Sequence, residues 1–366
     1  MRLIIAGGGS GGHIYPAIAI VKSVRDLVGT LDVLYIGTNH GLEHDLVPRQ
    51  NIPFATIHAK GLLVKGLNGK MRGMWAALRG LFEAMGHIRR FKPDVVVGTG
   101  GYVSGPVGLA AVLLGVPLVL QEQNVWPGFT NRTLGPRAKR VIVPFEEAKK
   151  YFRAGTSFAV IPNPVVITVE QDRAALRQEM DIAADQVVIL ATGGSQGAEA
   201  INRFWLQFLP RFEDHPEWVL LWATGRRYYT GIMEQLKQIP SWNPKQVRVF
   251  EYFYEIQKFY RISDVFLGRA GAMTIADCIA FGLPSILVPS PHVSEDHQTK
   301  NAQVIANRQA GILIPEPDLL KRGETELIAI LKDRDRRGKM ASAALAIYDP
   351  LASEKIARTI LEAYEH

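Results

Sequence analysis

Apolar positions along the chain fall into two patterns. Short β-branched or leucine-rich runs recur at Arg2–Ala6, Leu31–Ile36, Asp94–Val97, Leu118–Leu120 and Arg140–Val143. They return at Val187–Ala191, Trp218–Trp222, Val247–Phe250, Val265–Leu267 and Ser285–Val288. Runs of this length without strict alternation are what a parallel strand covered on both faces requires. Longer segments of helical character lie between them. The alternation predicts βαβ units wound into doubly wound parallel sheets, and ten strands divide into two sheets of about five.

The division falls near Ile161-Pro162-Asn163-Pro164, a rigid link suited to a hinge. This gives an N-terminal domain at 1–162, a second at 163–340, and a helical segment at 341–366 placed to cross back onto the first domain. The halves echo each other. Arg2–Ala6 runs into Gly7-Gly8-Gly9-Ser10-Gly11-Gly12, and Val187–Ala191 runs into Gly193-Gly194-Ser195-Gln196-Gly197. The expectation is α/β: two Rossmann-like domains facing across a cleft.

Composition narrows the class. The 366 residues exceed what one core organises, and 47% hydrophobic with 21% charged residues fits a folded globule. A single cysteine, Cys278, excludes an intrachain disulfide framework and a thiolate zinc cluster. Met1–Gly7 reads as a buried strand, without a signal-peptide pattern. The most apolar stretch, Val107–Leu120, is too short to span a bilayer. Net charge is +7, which points to an anionic partner: nucleic acid, a phosphate ligand or a membrane surface.

Glycines after a buried strand let the backbone approach a ligand, and the helix that follows favours phosphate. His13 stands where a P-loop needs lysine, which argues against a P-loop nucleotidase. The second strand ends Tyr35-Ile36-Gly37-Thr38 with no acidic residue for a ribose, which disfavours a simple dinucleotide site. Counting Gly98-Thr99-Gly100-Gly101-Tyr102-Val103-Ser104-Gly105, three such turns favour a ligand cleft over mere tight packing. His13, at the carboxyl end of a strand, is placed for general base work, with a capping or packing role as the alternative. A further cluster joins Gly268-Arg269-Ala270-Gly271-Ala272-Met273-Thr274 to Asp277, and then Glu295-Asp296-His297-Gln298-Thr299-Lys300-Asn301, with side chains suited to the hydroxyls of a sugar ligand, a solvated loop with a capping Asp being the alternative for Asp296 and His297. No spacing suits zinc.

Together these residues, with Glu122-Gln123-Asn124, closely resemble the MurG family over nearly the whole chain. Members of that family move N-acetylglucosamine from UDP-N-acetylglucosamine to undecaprenyl-pyrophosphoryl-N-acetylmuramoyl-pentapeptide, turning lipid I into lipid II. The resemblance implies a glycosyltransferase-B fold, an inverting transfer without metal or cofactor, and a peripheral place on the cytoplasmic face of the bacterial membrane. The first domain would take the acceptor and the second the donor. By position, His13 is the general base. Ser10, Gly11 and Gly12 lie near the donor diphosphate or the acceptor, and Asn124 near the transferred sugar. Ser195 contacts the diphosphate, Phe253 offers its backbone to uracil, Ala272, Met273, Thr274 and Asp277 embrace the nucleotide, and Gln298 holds sugar hydroxyls. Gly101, Tyr102 and Ser104 fall to the acceptor. Two positions depart from the family. Asp277 replaces its usual glutamate, and its arginine after Asn163-Pro164 is missing, leaving Arg269 and Arg203 as substitutes.

Lys60–Lys92 holds eight basic residues against one acidic, Glu83, with an apolar stripe through Met71, Trp75, Leu78, Phe82 and Met85. An ordinary amphipathic helix would show the stripe; the basic surplus and Leu62-Leu63-Val64 favour an interfacial surface built on Leu63, Arg72, Trp75 and Arg79. Two enzymes of the same scaffold remain as alternatives, a diacylglycerol glycosyltransferase and a soluble sugar-nucleotide epimerase. No nucleic-acid-binding motif is present.

Overall fold

Seven short strands build the first sheet: β1 (Arg2–Gly7), β2 (Asp32–Gly37), β3 (Phe54–Thr56), β4 (Val95–Gly100), β5 (Leu118–Gln121), β6 (Arg140–Val143) and β7 (Phe158–Val160). Six build the second: β8 (Val187–Thr192), β9 (Trp218–Ala223), β10 (Val247–Phe250), β11 (Val265–Gly268), β12 (Ser285–Leu287) and β13 (Gly311–Leu313). The computed structural model that defines them describes residues 1–59 and 67–365. The first sheet runs β3-β2-β1-β4-β5-β6-β7 and the second β10-β9-β8-β11-β12-β13. Neighbours in both are parallel.

Three strands, β3, β7 and β13, were not expected from the sequence. Each has three residues and lies at a sheet edge, where a single ladder holds it. No position of β3 or β7 is fully buried, so neither carries the unbroken apolar run of a central strand.

The central strands carry the opposite signature. Residues Leu3, Ile4, Ile5 and Ala6 of β1 and Val95, Val96 and Val97 of β4 have no exposed surface. Alternate positions serve alternate faces. Leu3, Ile5, Val95 and Val97 pack with Ile14, Ala17, Val21 and Val24 of the Gly11–Val28 helix and with Ile356 and Ile360 of the Ala352–Glu365 helix. Ile4, Ala6 and Val96 pack with Ala84 and Ile88 of the Leu67–Phe91 helix and with Val103 and Val107 of the Gly101–Leu113 helix.

The chain divides into two units, Met1–Val166 with Asp349–His366, and Ile167–Tyr348. Both boundaries lie beyond those expected at 162 and 341. Asn163 belongs with the first unit because its side chain is bonded to Gln121 and to the Gln123 carbonyl. The Arg334–Leu345 helix belongs with the second because Met340 enters that unit's core. That core is built around Trp205, Trp218 and Trp222. The Trp222 indole is satisfied by Asn202, which also donates to the Thr224 carbonyl.

Strand order reverses between β1 and β4 in one sheet and between β8 and β11 in the other. Ligands of open α/β sheets bind outside the carboxyl ends of strands at such switch points. All three glycine turns singled out in the sequence, and the Gly268–Gly271 turn, leave from these four strands.

Candidate functional site

In the first unit the turn after β1 becomes the Gly11–Val28 helix. Ser10 occupies the N-cap position but its hydroxyl makes no capping bond. The amides of Gly11 and Gly12 are thus among the donors that a helix start leaves without an intrahelical partner. His13 follows, its own amide bonded to the Ser10 carbonyl. Its ring lies against the turn after β4. Nδ1 is 3.1 Å from the Thr99 carbonyl and 2.9 Å from Gln123 Oε1. Gly100 makes this approach possible: its φ is +106°, and a Cβ there would stand 2.6 Å from His13 Nδ1.

Tyr102 packs its ring on Gly9, so Gly101 and Tyr102 share one corner with Ser10–His13. Ser104 does not join them. It is buried, donating to the Ala6 and Gly100 carbonyls and accepting from the Gly100 amide. Its hydroxyl is spent within the turn, whereas the sequence placed it with the acceptor.

Two buried carboxylates that the sequence reading assigned no role hold this corner. Glu43, with no exposed surface, accepts from the Gly9 amide at 3.1 Å and from the Thr38 amide and hydroxyl at 3.1 and 2.8 Å. Glu122 accepts from the amide and side chain of Asn124 and from Gly128 and Asn131. Asn124 is thereby fixed beside the loop that follows β5. Glu122 was visible as part of Glu122-Gln123-Asn124. Glu43 had no motif to announce it, because its partners, two amides and a hydroxyl, lie 5 and 34 residues away in sequence.

In the second unit the turn after β8 sits between the turns after β9 and β11. Gly197 has φ +77°, and a Cβ there would run into the Thr224 carbonyl. Ser195 stands exposed at its tip, and the Glu199–Phe208 helix that follows has no side-chain cap. After β11, the Ala272–Ala280 helix also starts uncapped, at Gly271, so the amides of Ala272, Met273 and Thr274 are a row of orphan donors. Such starts favour anions. Asp277 is half-buried on this helix, and burial pushes its carboxyl up to about 7. The Phe253 side chain is buried against Phe250 and Phe259, so only its main chain is on offer. Gln298 accepts from the Ser290 amide through Oε1, which leaves its NH2 group for another partner.

The apolar stripe of the Leu67–Phe91 helix divides in two. Ala84 and Ile88 face the sheet, whereas Trp75, Leu78 and Phe82 are 71%, 46% and 70% exposed. Spacings of three and four place those three on one stripe. Arg79, beside them, is paired with Glu83. Leu63 lies outside the described residues, as does the side chain of Arg72.

Comparison with known proteins gives this geometry a family. Residues 3–143 match the glycosyltransferase family 28 N-terminal domain and residues 188–357 the glycosyltransferase family 28 C-terminal domain. The chain is 40% identical, over 100% of both chains, to a UDP-N-acetylglucosamine–N-acetylmuramyl-(pentapeptide) pyrophosphoryl-undecaprenol N-acetylglucosamine transferase of Moorella thermoacetica. It is 29% identical to the crystal structure of Acinetobacter baumannii MurG, with a TM-score of 0.79 and 99% of each chain covered. The chain belongs to the MurG family of glycosyltransferases. A putative UDP-N-acetylglucosamine 2-epimerase from Listeria monocytogenes matches at TM-score 0.69 but only 15% identity, covering 97% of this chain and 94% of that one, and so shares the fold alone.

Arg269, expected above as a substitute for the arginine that the resemblance implies, is already engaged within its own unit. That guanidinium donates to the Val288 and Pro289 carbonyls and pairs with Glu316, leaving its side chain 13% exposed. It ties the residues just after β12 to the Glu316–Asp318 turn. Arg203 is exposed on the Glu199–Phe208 helix, next to the Asn202 that anchors the Thr224 carbonyl.

Proposed function

We propose that this chain transfers N-acetylglucosamine from UDP-N-acetylglucosamine to the 4-hydroxyl of lipid I, making lipid II for peptidoglycan synthesis, with inversion and without a metal ion. The observation that carries this reading is identity of 40% over the full length of a transferase whose name states the reaction. Unit 2 takes the donor. Ser195 and the uncapped helix starts at Glu199 and Ala272 receive the diphosphate, Phe253 and Asp277 the uridine, and Gln298 the sugar. Unit 1 takes the acceptor at Ser10–His13, Gly101, Tyr102 and Asn124. As the O4–H proton passes to His13 Nε2, O4 bonds to the anomeric carbon. The bond from that carbon to the diphosphate oxygen breaks, and UDP leaves with the electron pair.

Peripheral attachment to the cytoplasmic face of the cell membrane belongs to the same proposal. No helix among the described residues is long and apolar enough to cross a membrane. The support is the exposed Trp75, Leu78 and Phe82 stripe within a segment carrying eight basic residues. Each cation near anionic lipid contributes about 1 kcal/mol, and the acceptor's polyprenyl tail stays in the bilayer.

The test is incubation with labelled UDP-N-acetylglucosamine and a lipid I analogue, with and without EDTA. Label in the lipid at equal rates supports the reading. Label only in diacylglycerol, or an epimerised donor, overturns it, and loss of transfer in EDTA removes its metal-independent part.

A further inference from the structure

The strongest unassigned feature is a string of buried amide side chains that ends on His13. Asn163 Nδ2 donates to the Gln123 carbonyl at 2.8 Å. A main-chain carbonyl only accepts, so this bond fixes the Asn163 amide and turns Oδ1 away. Oδ1 accepts from Gln121 Nε2 at 3.2 Å, which fixes Gln121 in turn. Gln121 Oε1 then accepts from Gln123 Nε2, which also donates to the Thr99 carbonyl at 2.7 Å. Gln123 Oε1 is left pointing at His13 Nδ1, 2.9 Å away. Flipping any one amide would set oxygen against oxygen. Gln121 and Gln123 are 1% and 2% exposed, so water does not compete.

Both neighbours of His13 Nδ1, Gln123 Oε1 and the Thr99 carbonyl, are acceptors. Nδ1 must therefore carry a proton, and in the neutral ring the lone pair sits on Nε2. Nε2 has no partner among the described residues. The carboxylates on neighbouring elements do not compete for the ring: Glu43 is taken by Gly9 and Thr38, and Glu122 by Asn124, Gly128 and Asn131.

We propose that Asn163, Gln121 and Gln123 form a positioning relay that locks His13 in the Nδ1–H tautomer and so presents Nε2 as the proton acceptor. The proposal deepens the reading of His13 as the base, and it assigns Asn163 of the Asn163-Pro164 pair a part in orienting that base. All three are buried, so their part is to orient the ring and not to bind a ligand. A preset tautomer matters because the ring otherwise divides between two forms, one of which offers an N–H where the acceptor hydroxyl must lose its proton.

The experiment uses the full chain with uniformly 15N-labelled histidine, His13→Ala supplying the assignment. The wild type is expected to show protonated Nδ1 and unprotonated Nε2 at neutral pH. Gln123→Leu should give a mixture of tautomers and a kcat lower by about 10- to 100-fold, with the KM for UDP-N-acetylglucosamine little changed. Gln123→Glu keeps the shape and places a carboxylate on Nδ1–H. It should raise the imidazole pKa, moving the acidic limb of kcat/KM to higher pH by about one unit or more. A purely structural glutamine would produce no such shift. An unchanged tautomer in Gln123→Leu, or an unmoved limb in Gln123→Glu, overturns the relay; if the leucine variant does not fold, the glutamate variant decides alone. Full turnover by His13→Ala would remove the base reading while the tautomer measurement still tests the relay.

Discussion

The turns after β1 and β8 begin alike, as glycines between a buried strand and an uncapped helix, and are held by different means. The β1 turn is gripped mostly by side chains, Glu43 on the Gly9 amide and Gln123 on the His13 ring, which also meets the Thr99 carbonyl. The β8 turn is closed by a main-chain bond from the Gly197 amide to the Gly194 carbonyl, with the Gly194 amide on Thr192 Oγ1 and Gly197 set close against the Thr224 carbonyl. Its exposed tip carries Ser195 and Gln196 and no titratable ring. A proton acceptor must be fixed in tautomer and angle, whereas a diphosphate needs only amides and room. On the proposed reading of His13 as the base and Ser195 at the diphosphate, the difference separates a turn built for proton transfer from one built for gripping an anion.

Removing His13 breaks that contrast most directly. His13→Ala should lower kcat by about 10²–10⁴-fold while calorimetric binding of UDP stays near wild type. Equal losses in both quantities would mean that the first turn also grips the donor.

The next largest effect should come from Gly197→Ala. A Cβ there meets a main-chain carbonyl and φ is +77°, so the turn must shift. The expected cost is about 1–3 kcal/mol of stability in urea and a donor KM raised by about tenfold. Gly12→Ala is the matched control in the other turn. Its Cβ would meet only Ser10 Oγ at 3.5 Å, and the position is helical, so stability should hold or rise by about 0.5 kcal/mol. If transfer still falls in Gly12→Ala, the loss marks close approach of a ligand.

How much of this was legible in sequence follows from range. β1, β4 and β8 announced themselves because burial on both faces leaves an unbroken apolar run. The turns that carry His13 and Ser195 announced themselves because a glycine run before a helix is a local pattern. Glu43, Gln121 and Asn163 did not, since each works through partners brought near by folding, the Gln121–Asn163 bond spanning 42 residues. For Ser104 the resemblance implied a place beside the acceptor, whereas only the fold shows that its hydroxyl is consumed by Ala6 and Gly100. Arg269 looked like a spare cation until Glu316 and two carbonyls claimed it.

Asp277 sharpens the donor side through pH. Its ordinary value is 3.8, and burial raises it to about 7. Between those values the folded chain holds a proton that the unfolded chain has released, so stability falls as pH rises from about 4 to 7. Asp277→Asn removes this dependence. The variant should match wild type near pH 4 and exceed it at pH 8 by on the order of 2 kcal/mol in urea denaturation. UDP binding, if it recruits the ionised carboxylate for the ribose, should release a proton below pH 7, measured as a buffer-dependent calorimetric heat. Equal stability of the two proteins at pH 8 would show the carboxyl to be better solvated than its burial implies.

The smallest effects concern the membrane stripe, where the two kinds of contact come apart by salt. Trp75 is 71% exposed on its helix, so Trp75→Ala should leave folding intact and weaken vesicle binding by about 2 kcal/mol at low and high salt alike. Arg79 is a different case. Its guanidinium is already paired with Glu83, one turn along the helix, so part of its charge is cancelled before it meets lipid. Arg79→Ala should therefore cost less than the roughly 1 kcal/mol of an unpaired cation, and only in anionic vesicles at low salt. Arg79→Ala with Glu83→Gln separates the terms: removing both charges should restore most of the binding lost in the single arginine variant. Equal sedimentation of wild type and Trp75→Ala with every vesicle composition would move the docking surface off this helix.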